Sequence, residues 1–383
     1  MEFGWTEAQK AYRQQLVDVL ERELPEDWWE NYAFDGPCHP KLMEFARGFN
    51  LKLAAEGLVV PHWPERYGGR DAEPWEHIIT SEEMWSNGEP RSSLYMGTNW
   101  AGPAIMVFGT EEQKREHLLT LARGEVLWCQ GFSEPSAGTD LAAMSTRATR
   151  TETGYRLNGS KVWTSYAKHA DICFMLAKID DAGKSKGAVT CFLLPLDTPG
   201  VQVRSITGIH MEDDLNEVFL TDVDLPESAR LGGEGKGWEI VTAIIHNERI
   251  GAARYEYARR ALDRAVMHVK QRGQFHGAVK GEAARALAAC ESARMLTYLV
   301  IDGRVKGREP GADTFIARYA IVMADHAVAN FITSHLPDLL VEPGDGMFRA
   351  FFGCAIVSGV AAGAAEVQLN MISGRYLGLP RGA

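Results

Sequence analysis

At 383 residues, with 45% apolar and 24% charged side chains, the chain is long enough for two or three domains and has an ordinary globular composition. Its net charge of −11 excludes nucleic acid and an anionic membrane surface as general partners, but not an anionic ligand at a locally basic site. Six scattered cysteines, with no CxxC pair and no histidine at ligand spacing, exclude a zinc site or other metal centre and fit free thiols in a reducing cytoplasm.

Residues 1–125 read as an all-helical domain. The N-terminus, MEFGWTEAQKAYRQQL, is amphipathic and acidic, unlike a signal peptide. Thr6 is placed to cap a first helix ending near Leu24, and further helices are expected over Lys41–Gly57 and Glu73–Trp85. Between them Pro61, Pro64, Gly68 and Gly69 make a rigid turn. Thr110-Glu111-Glu112-Gln113 is a capping box opening a helix that ends near Gly124.

The texture changes at Val126. Short strands are expected over Ser145–Thr151, Tyr155–Leu157, Lys161–Trp163, Ile172–Ile179, Ala188–Leu194, Val201–Ser205 and Glu217–Val223. Asn158-Gly159 reads as a two-residue hairpin turn, and Asp180–Lys186 as a polar turn. Residues 126–234 therefore read as a small antiparallel barrel or sandwich.

Residues 235–383 are helical again. Val241, Ile244, Ile245, Ala252, Tyr255, Leu262 and Val266 recur at helical spacing, predicting one long helix over Trp238–Arg272. Helices over Gly281–Lys306, Asp313–Leu336 and Met347–Leu377 complete a four-helix bundle. The longest uncharged run near the C-terminus, Gly353–Ala365, is too short to span a bilayer, so no membrane span is expected. The fold class is α+β, in the order helical domain, β domain, helical bundle.

Three stretches carry chemistry. Trp128–Asp140 (WCQGFSEPSAGTD) follows a strand and is rich in small and hydroxyl residues, whose N–H and O–H groups suit a planar polar ring or a phosphate; a plain barrel loop is the alternative. Lys161–Ser165 (KVWTS) puts a Trp and a Ser two apart on a strand, an aromatic wall beside a hydrogen bond, unless the Trp is core. On the long helix, Glu248 falls one turn from Ile244 and from Ala252, with the apolar face. Desolvation there raises a carboxylate's pKa toward that of a usable base, although a cation from a neighbouring helix would satisfy it equally.

Together WPERYGG, GTEEQK, FSEPSAGTD, NGSKVWTS, RGQF and a terminal RYLGLPR resemble the acyl-CoA dehydrogenase family over nearly the whole chain. The resemblance implies FAD, with Gln130, Phe132, Ser133, Trp163 and Ser165 at the isoalloxazine and ribityl regions. It puts Thr139 at the flavin phosphate, in a turn shaped by Gly138 and Asp140, and Arg272 and Phe275 on FAD bound mainly by a neighbouring subunit. His276 replaces the common Gly, and the expected Pro-Leu and downstream Gln are missing.

In most members the base opens a Glu-Gly-Thr motif near the C-terminus; here that stretch is Ala362-Gly363-Ala364, so the usual base position holds an alanine. A minority carry the base on the long helix directly before an Arg, which matches Glu248-Arg249. Glu248 is then the general base that takes the α-proton of an acyl-CoA thioester while a β-hydride leaves to flavin N5, giving the trans-2-enoyl-CoA. The resemblance implies that the backbone NH of Ala362, with Gly363 beside it, binds the thioester oxygen and that Arg249 helps to position the substrate. The implied partners are electron-transfer flavoprotein and further subunits, in a homodimer, homotetramer or α2β2 heterotetramer. The alternatives are a non-catalytic or half-site subunit of a heteromer, and a flavin oxidase or monooxygenase relative. Branched, long or ring-bearing acyl groups, sterol side chains among them, are the candidate substrates.

Overall fold

The computed structural model describes residues 4–33, 39–179, 189–208, 214–250, 252–308, 311–341, 344–361 and 363–380, and of 245–250 the backbone alone. The N-terminal region is helical: α1 (Glu7–Glu23), α2 (Pro40–Ala55), α3 (Pro74–Ser86), α4 (94–108) and α5 (111–122). Both expected caps form. The Thr6 and Thr110 hydroxyls accept from the Gln9 and Gln113 N–H groups at 3.2 Å, and each glutamine side chain accepts in return at 3.0 Å. Helix α4 has no counterpart in the sequence reading, because its middle, Gly97–Ala101, is a π-helical turn rich in glycine and polar residues. Its glycines answer to packing: a Cβ at Gly97 would collide with Leu121, and one at Gly102 with Trp63.

The strands are β1 (Trp128–Gly131), β2 (Arg147–Arg150), β3 (Gly154–Lys161), β4 (Ile172–Ile179), β5 (Val189–Pro195), β6 (Val201–Ile206), β7 (Leu215–Pro226) and β8 (Arg230–Leu231). They form one sheet in the order β6-β7-β3-β2-β4-β5-β8, with β1 also on β4. The sheet is mixed rather than purely antiparallel, since β1 and β2 both pair with β4 in parallel. Asn158-Gly159 makes no hairpin turn. Strand β3 runs straight through it with a bulge against β7, and Gly159 lies so close to Thr146 that a Cβ would reach its Cα at 2.7 Å. Tyr155, Leu157, Cys173, Met175, Phe192, Leu194, Val218 and Leu220 fill the core on one face of the sheet. The expected turn over Asp180–Lys186 lies outside the described residues.

Beyond the sheet come α6 (Gly237–Ile250), α7 (Arg254–Gln271), α8 (Gly277–Val305), α9 (Asp313–His335), α10 (Gly346–Ile356) and α11 (Ala365–Met371). The single helix expected over Trp238–Arg272 is thus two helices, α6 and α7. Side-chain periodicity continues through the interruption, but Gly251 is a weak helix former and the Ala253 N–H bonds the Ser81 hydroxyl at 3.1 Å instead of a carbonyl one turn back. The last expected helix is also divided: a turn with Gly359 at φ +90° and Gly363 at φ +86° separates α10 from α11.

The chain divides into two compact units. One gathers Met43–Asp71 and Arg91–Asn247, including the sheet; the other gathers Met1–Leu42, Ala72–Pro90 and Glu248–Ala383. In the latter, α9 packs against α7, α8, α10 and α11, and α3 packs against α1, α7 and α8. Helix α9 is long and apolar enough, by length and composition only, to cross a membrane; 61% of its most apolar window is buried inside the protein.

At the junction of α1, α3, α7 and α8 the Glu82 carboxylate is buried. It accepts from the Tyr255 hydroxyl at 2.9 Å and the Tyr298 hydroxyl at 2.7 Å, and pairs with Arg13. Burial, with Glu256 nearby, pushes its pKa up to about 7 against the pull of Arg13 and the two tyrosines. The folded protein therefore holds a proton that the unfolded chain releases above about pH 4.5. The stability this group contributes is whole below that pH and declines as pH rises to about 7, by roughly 3 kcal/mol across the window. Urea unfolding at pH 5 and pH 8 is expected to show this decline in the wild type and to show it flattened in Glu82→Gln.

Candidate functional site

The two motifs singled out in the sequence meet in the sheet-bearing unit through a pair of buried charges. Strand β1 ends at Gly131 and opens a turn pinched by reciprocal backbone hydrogen bonds between Glu134 and Ala137, 2.9 Å each. The Glu134 side chain points inward. Its Oε1 accepts from Lys161 Nζ at 2.7 Å and from the Thr146 N–H at 3.0 Å, and its Oε2 accepts from the Ser145 hydroxyl at 2.8 Å and from the Ser145 N–H. Lys161, the last residue of β3, also reaches the Phe132 carbonyl at 3.4 Å, and the Val162 N–H bonds the Ser133 carbonyl at 3.0 Å. Side-chain exposure is 0% for Lys161 and 1% for Glu134. Burial alone would push the Glu134 carboxyl up, but Lys161, Thr146 and Ser145 together bring it down to about 2. The two motifs contain both residues, but nothing in the pattern of either motif singles them out. The available signal was one acid and one base set among small, hydroxyl and aromatic neighbours in two motifs close enough to pair.

Around this pair stand the expected cofactor residues of this unit. Among the described residues, no hydrogen-bond partner meets the side chains of Gln130, Ser133, Thr139 or Ser165, which are half-buried or exposed. Trp163 is 57% exposed, with φ +59°, an unfavourable backbone for a bulky side chain. It stays there because its successors are fastened: the Thr164 N–H bonds the Asn216 carbonyl at 3.0 Å, Asn216 Nδ2 bonds the Thr164 carbonyl at 3.1 Å, and the Tyr166 N–H bonds the Asp214 carbonyl at 3.0 Å. Trp163 and Ser165 thus lie in an irregular turn beyond β3, not on a strand as the sequence pattern suggested. Phe132 is buried, its ring 5.6 Å from that of Phe174. Gly138 is exposed, and a Cβ added there would meet nothing within 4 Å.

The remaining expected residues belong to the helical unit. Glu248 and Arg249 lie in the last turn of α6, and their side chains are outside the described residues, as is Ala362. Gly363 closes the turn before α11, its carbonyl accepting from Gln368 Nε2 at 3.1 Å. Arg272 is gripped by Asp338 in a two-point fork of 2.9 and 2.6 Å, an arrangement the sequence did not foretell. The Phe275 ring lies under two ammonium groups, Lys270 at 5.1 Å and Lys280 at 5.9 Å.

Comparison with known proteins matches three consecutive stretches to the acyl-CoA dehydrogenase N-terminal domain (residues 6–125), middle domain (129–223) and C-terminal domain (235–377). Acyl-CoA dehydrogenase FadE34 of Mycobacterium tuberculosis is 33% identical over 86% of this chain; the chain spans 46% of that protein, about half its length. Acyl-CoA dehydrogenase IpdE1 of the same organism is 30% identical, covering 98% of both chains. Among solved structures, the Tcur3481-Tcur3483 steroid ACAD superposes with a TM-score of 0.90 at 25% identity, covering 100% of both chains. With family models over most of its length and a full-length relative at 30% identity, the chain belongs to the acyl-CoA dehydrogenase family.

Proposed function

We propose that the chain is the catalytic member of an FAD-dependent acyl-CoA dehydrogenase with Glu248 as its general base. The observation that carries the cofactor is the surface around the Glu134–Lys161 pair. Four polar side chains without protein partners among the described residues, an open turn at Gly138 and an exposed, strained indole at Trp163 fit a flavin with its ribityl chain and phosphate. The three-domain division at 1–125, 126–234 and 235–383 accompanies this reading.

FAD, when bound, supplies the hydride acceptor. The protein's own part is to bind, orient and move a proton. Gln130, Ser133, Thr139 and Ser165 supply hydrogen bonds along the cofactor, and Trp163 covers an aromatic face. Glu248 takes the α-proton onto a carboxylate oxygen. The N–H of residue 362 donates to the thioester oxygen as negative charge grows there, and Arg249 orients the substrate. The electrons leave to an electron-transfer flavoprotein. The substrate class is a bulky, ring-bearing acyl-CoA, in keeping with the steroid ACAD that the chain resembles, and the compartment is the cytoplasm.

One observation favours assembly with a second, related chain over a homotetramer. Arg272, the residue expected to reach a neighbour's flavin, is already neutralised by Asp338. A flavin site drawing on this Arg272 would first have to break that fork, so an α2β2 complex in which another chain supplies the cation accounts for it better.

Purified protein, alone and co-expressed with candidate partner chains, is to be titrated anaerobically with butyryl-, isovaleryl-, palmitoyl- and a steroid-ring acyl-CoA. The expected result is bound yellow flavin whose visible band bleaches with the ring-bearing thioester. A chain that takes up no flavin in any combination refutes the reading, and bleaching by none of the thioesters refutes the dehydrogenase activity.

A further inference from the structure

The helical unit contains a buried carboxylate that the proposed chemistry does not use. Asp325, in the middle of α9, is 1% exposed. Its Oδ2 accepts from the Ser358 hydroxyl at 2.6 Å and pairs with Arg254 Nη2 at 3.1 Å; its Oδ1 has no hydrogen-bond donor among the described residues. The same Arg254 nitrogen donates to the Cys354 carbonyl at 2.8 Å. Two turns nearer the start of α9, Arg318 donates to the Ala361 carbonyl at 3.1 Å. Burial pushes the Asp325 carboxyl up, and Arg254, Ser358, Arg318 and His326 pull it down; burial wins.

Such a group is a poor stabiliser. Removing a carboxylate from water is costly, and an apolar residue would fill the middle of a bundle helix at less cost. What Asp325 does supply is a junction. Arg254 is the first residue of α7, just past the interruption that follows α6. A cation there opposes the helix dipole, and α7 has no side-chain cap of its own, so Arg254 needs an anion near that end. Ser358 and Ala361 belong to the turn between α10 and α11 that leads into residue 362. The interruption is held from another side by the Ser81 hydroxyl of α3, which accepts from the Ala253 N–H at 3.1 Å.

We infer that Asp325, together with Arg254 and Ser358, is a positioning group for the dehydrogenation. It fixes the start of α7, which follows Glu248 closely in the chain, against the turn at Ser358–Ala361, which directly precedes residue 362. This inference rests on the proposed role of Glu248. The proton acceptor and the donor to the thioester oxygen must be held within a fraction of an ångström of each other's working distance, and a misplacement of about 1 Å costs on the order of 10²-fold in rate.

The test compares Asp325→Asn and Ser358→Ala with Val300→Ala, which opens a cavity at a buried position of α8 that makes none of the junction's hydrogen bonds. All are prepared as flavin-loaded complexes. Expected are anaerobic bleaching rates lowered roughly 10²-fold in Asp325→Asn and 10-fold in Ser358→Ala, with KM changed less than about twofold and flavin retained. Val300→Ala is expected to keep the wild-type rate. Hydrogen exchange is expected to quicken at Ala253 and Ala365 in both junction variants and not in Val300→Ala. Wild-type rates and exchange in a folded Ser358→Ala overturn the inference, as does an equal loss in Val300→Ala; Ser358→Ala also decides the case where Asp325→Asn does not fold. If Glu248→Gln still bleaches, the base reading has failed separately, and the exchange data then decide by themselves whether the junction holds the two segments.

Discussion

Glu248→Gln is expected to bind flavin as the wild type does and to lose roughly 10³-fold in the rate at which an acyl-CoA bleaches it. The substitution keeps shape and hydrogen-bonding capacity but removes the proton acceptor, so folding and cofactor uptake serve as internal controls. The same stopped-flow measurement on Glu366→Gln is expected to change little, because Glu366 is exposed in the first turn of α11, where a carboxylate complements the helix dipole. Loss in Glu366→Gln with retention in Glu248→Gln would return the base to the C-terminal stretch. The prediction is sharp because the usual C-terminal base position, residue 362, is an alanine and cannot take a proton.

Lys161→Met is expected to cost about 3–5 kcal/mol and to abolish flavin retention. Removing the ammonium leaves the Glu134 carboxylate buried with only the Ser145 and Thr146 donors, and frees the Phe132 carbonyl at the root of the turn. Both candidate cofactor segments then lose the one ionic tie that joins them. Calorimetry should show the melting temperature down by about 10 °C, and flavin should wash out on gel filtration. The Glu134→Met, Lys161→Met double variant is expected to recover part of the stability but not the flavin, which separates the cost of an orphaned charge from the loss of the turn's shape. Acid acts on the same pair. Glu134, at about 2 when folded and 4.5 when free, contributes stability that is complete above pH 4.5 and is lost as pH falls through about 2.

The order of helical and β regions was legible because its signals are local: capping boxes at Thr6 and Thr110, short continuous apolar runs in β4 and β5, alternation in β7, and long runs at helical spacing in α8 and α9. What was not legible arises from distant groups. The interruption after α6 reflects a hydroxyl on α3, and the bulge at Gly159 reflects the approach of Thr146 and the register against β7. Helix α4 hides in a glycine-rich stretch whose glycines make room for Leu121 and Trp63. Motif spacing found the candidate cofactor residues but could not show that Glu134 and Lys161 hold them, nor that Asp338 would claim Arg272. Charge pairs of this kind leave no periodic trace.

The helical unit is assembled from three separated pieces of chain, and this sets a schedule for biosynthesis. The pieces that build the sheet-bearing unit have all been synthesised by Asn247, so it can close while the ribosome is still at work. Helix α3 is made early, but the surface it buries against α7 and α8 does not exist until the C-terminal third emerges. At roughly 5–20 residues per second, that wait lasts on the order of 10–30 s. During it the face of α3 that α7 and α8 cover in the finished protein lacks those partners. Yield in a heterologous host is therefore expected to respond to chaperone supply and translation speed over residues 248–383 as well as to the stability of the finished fold.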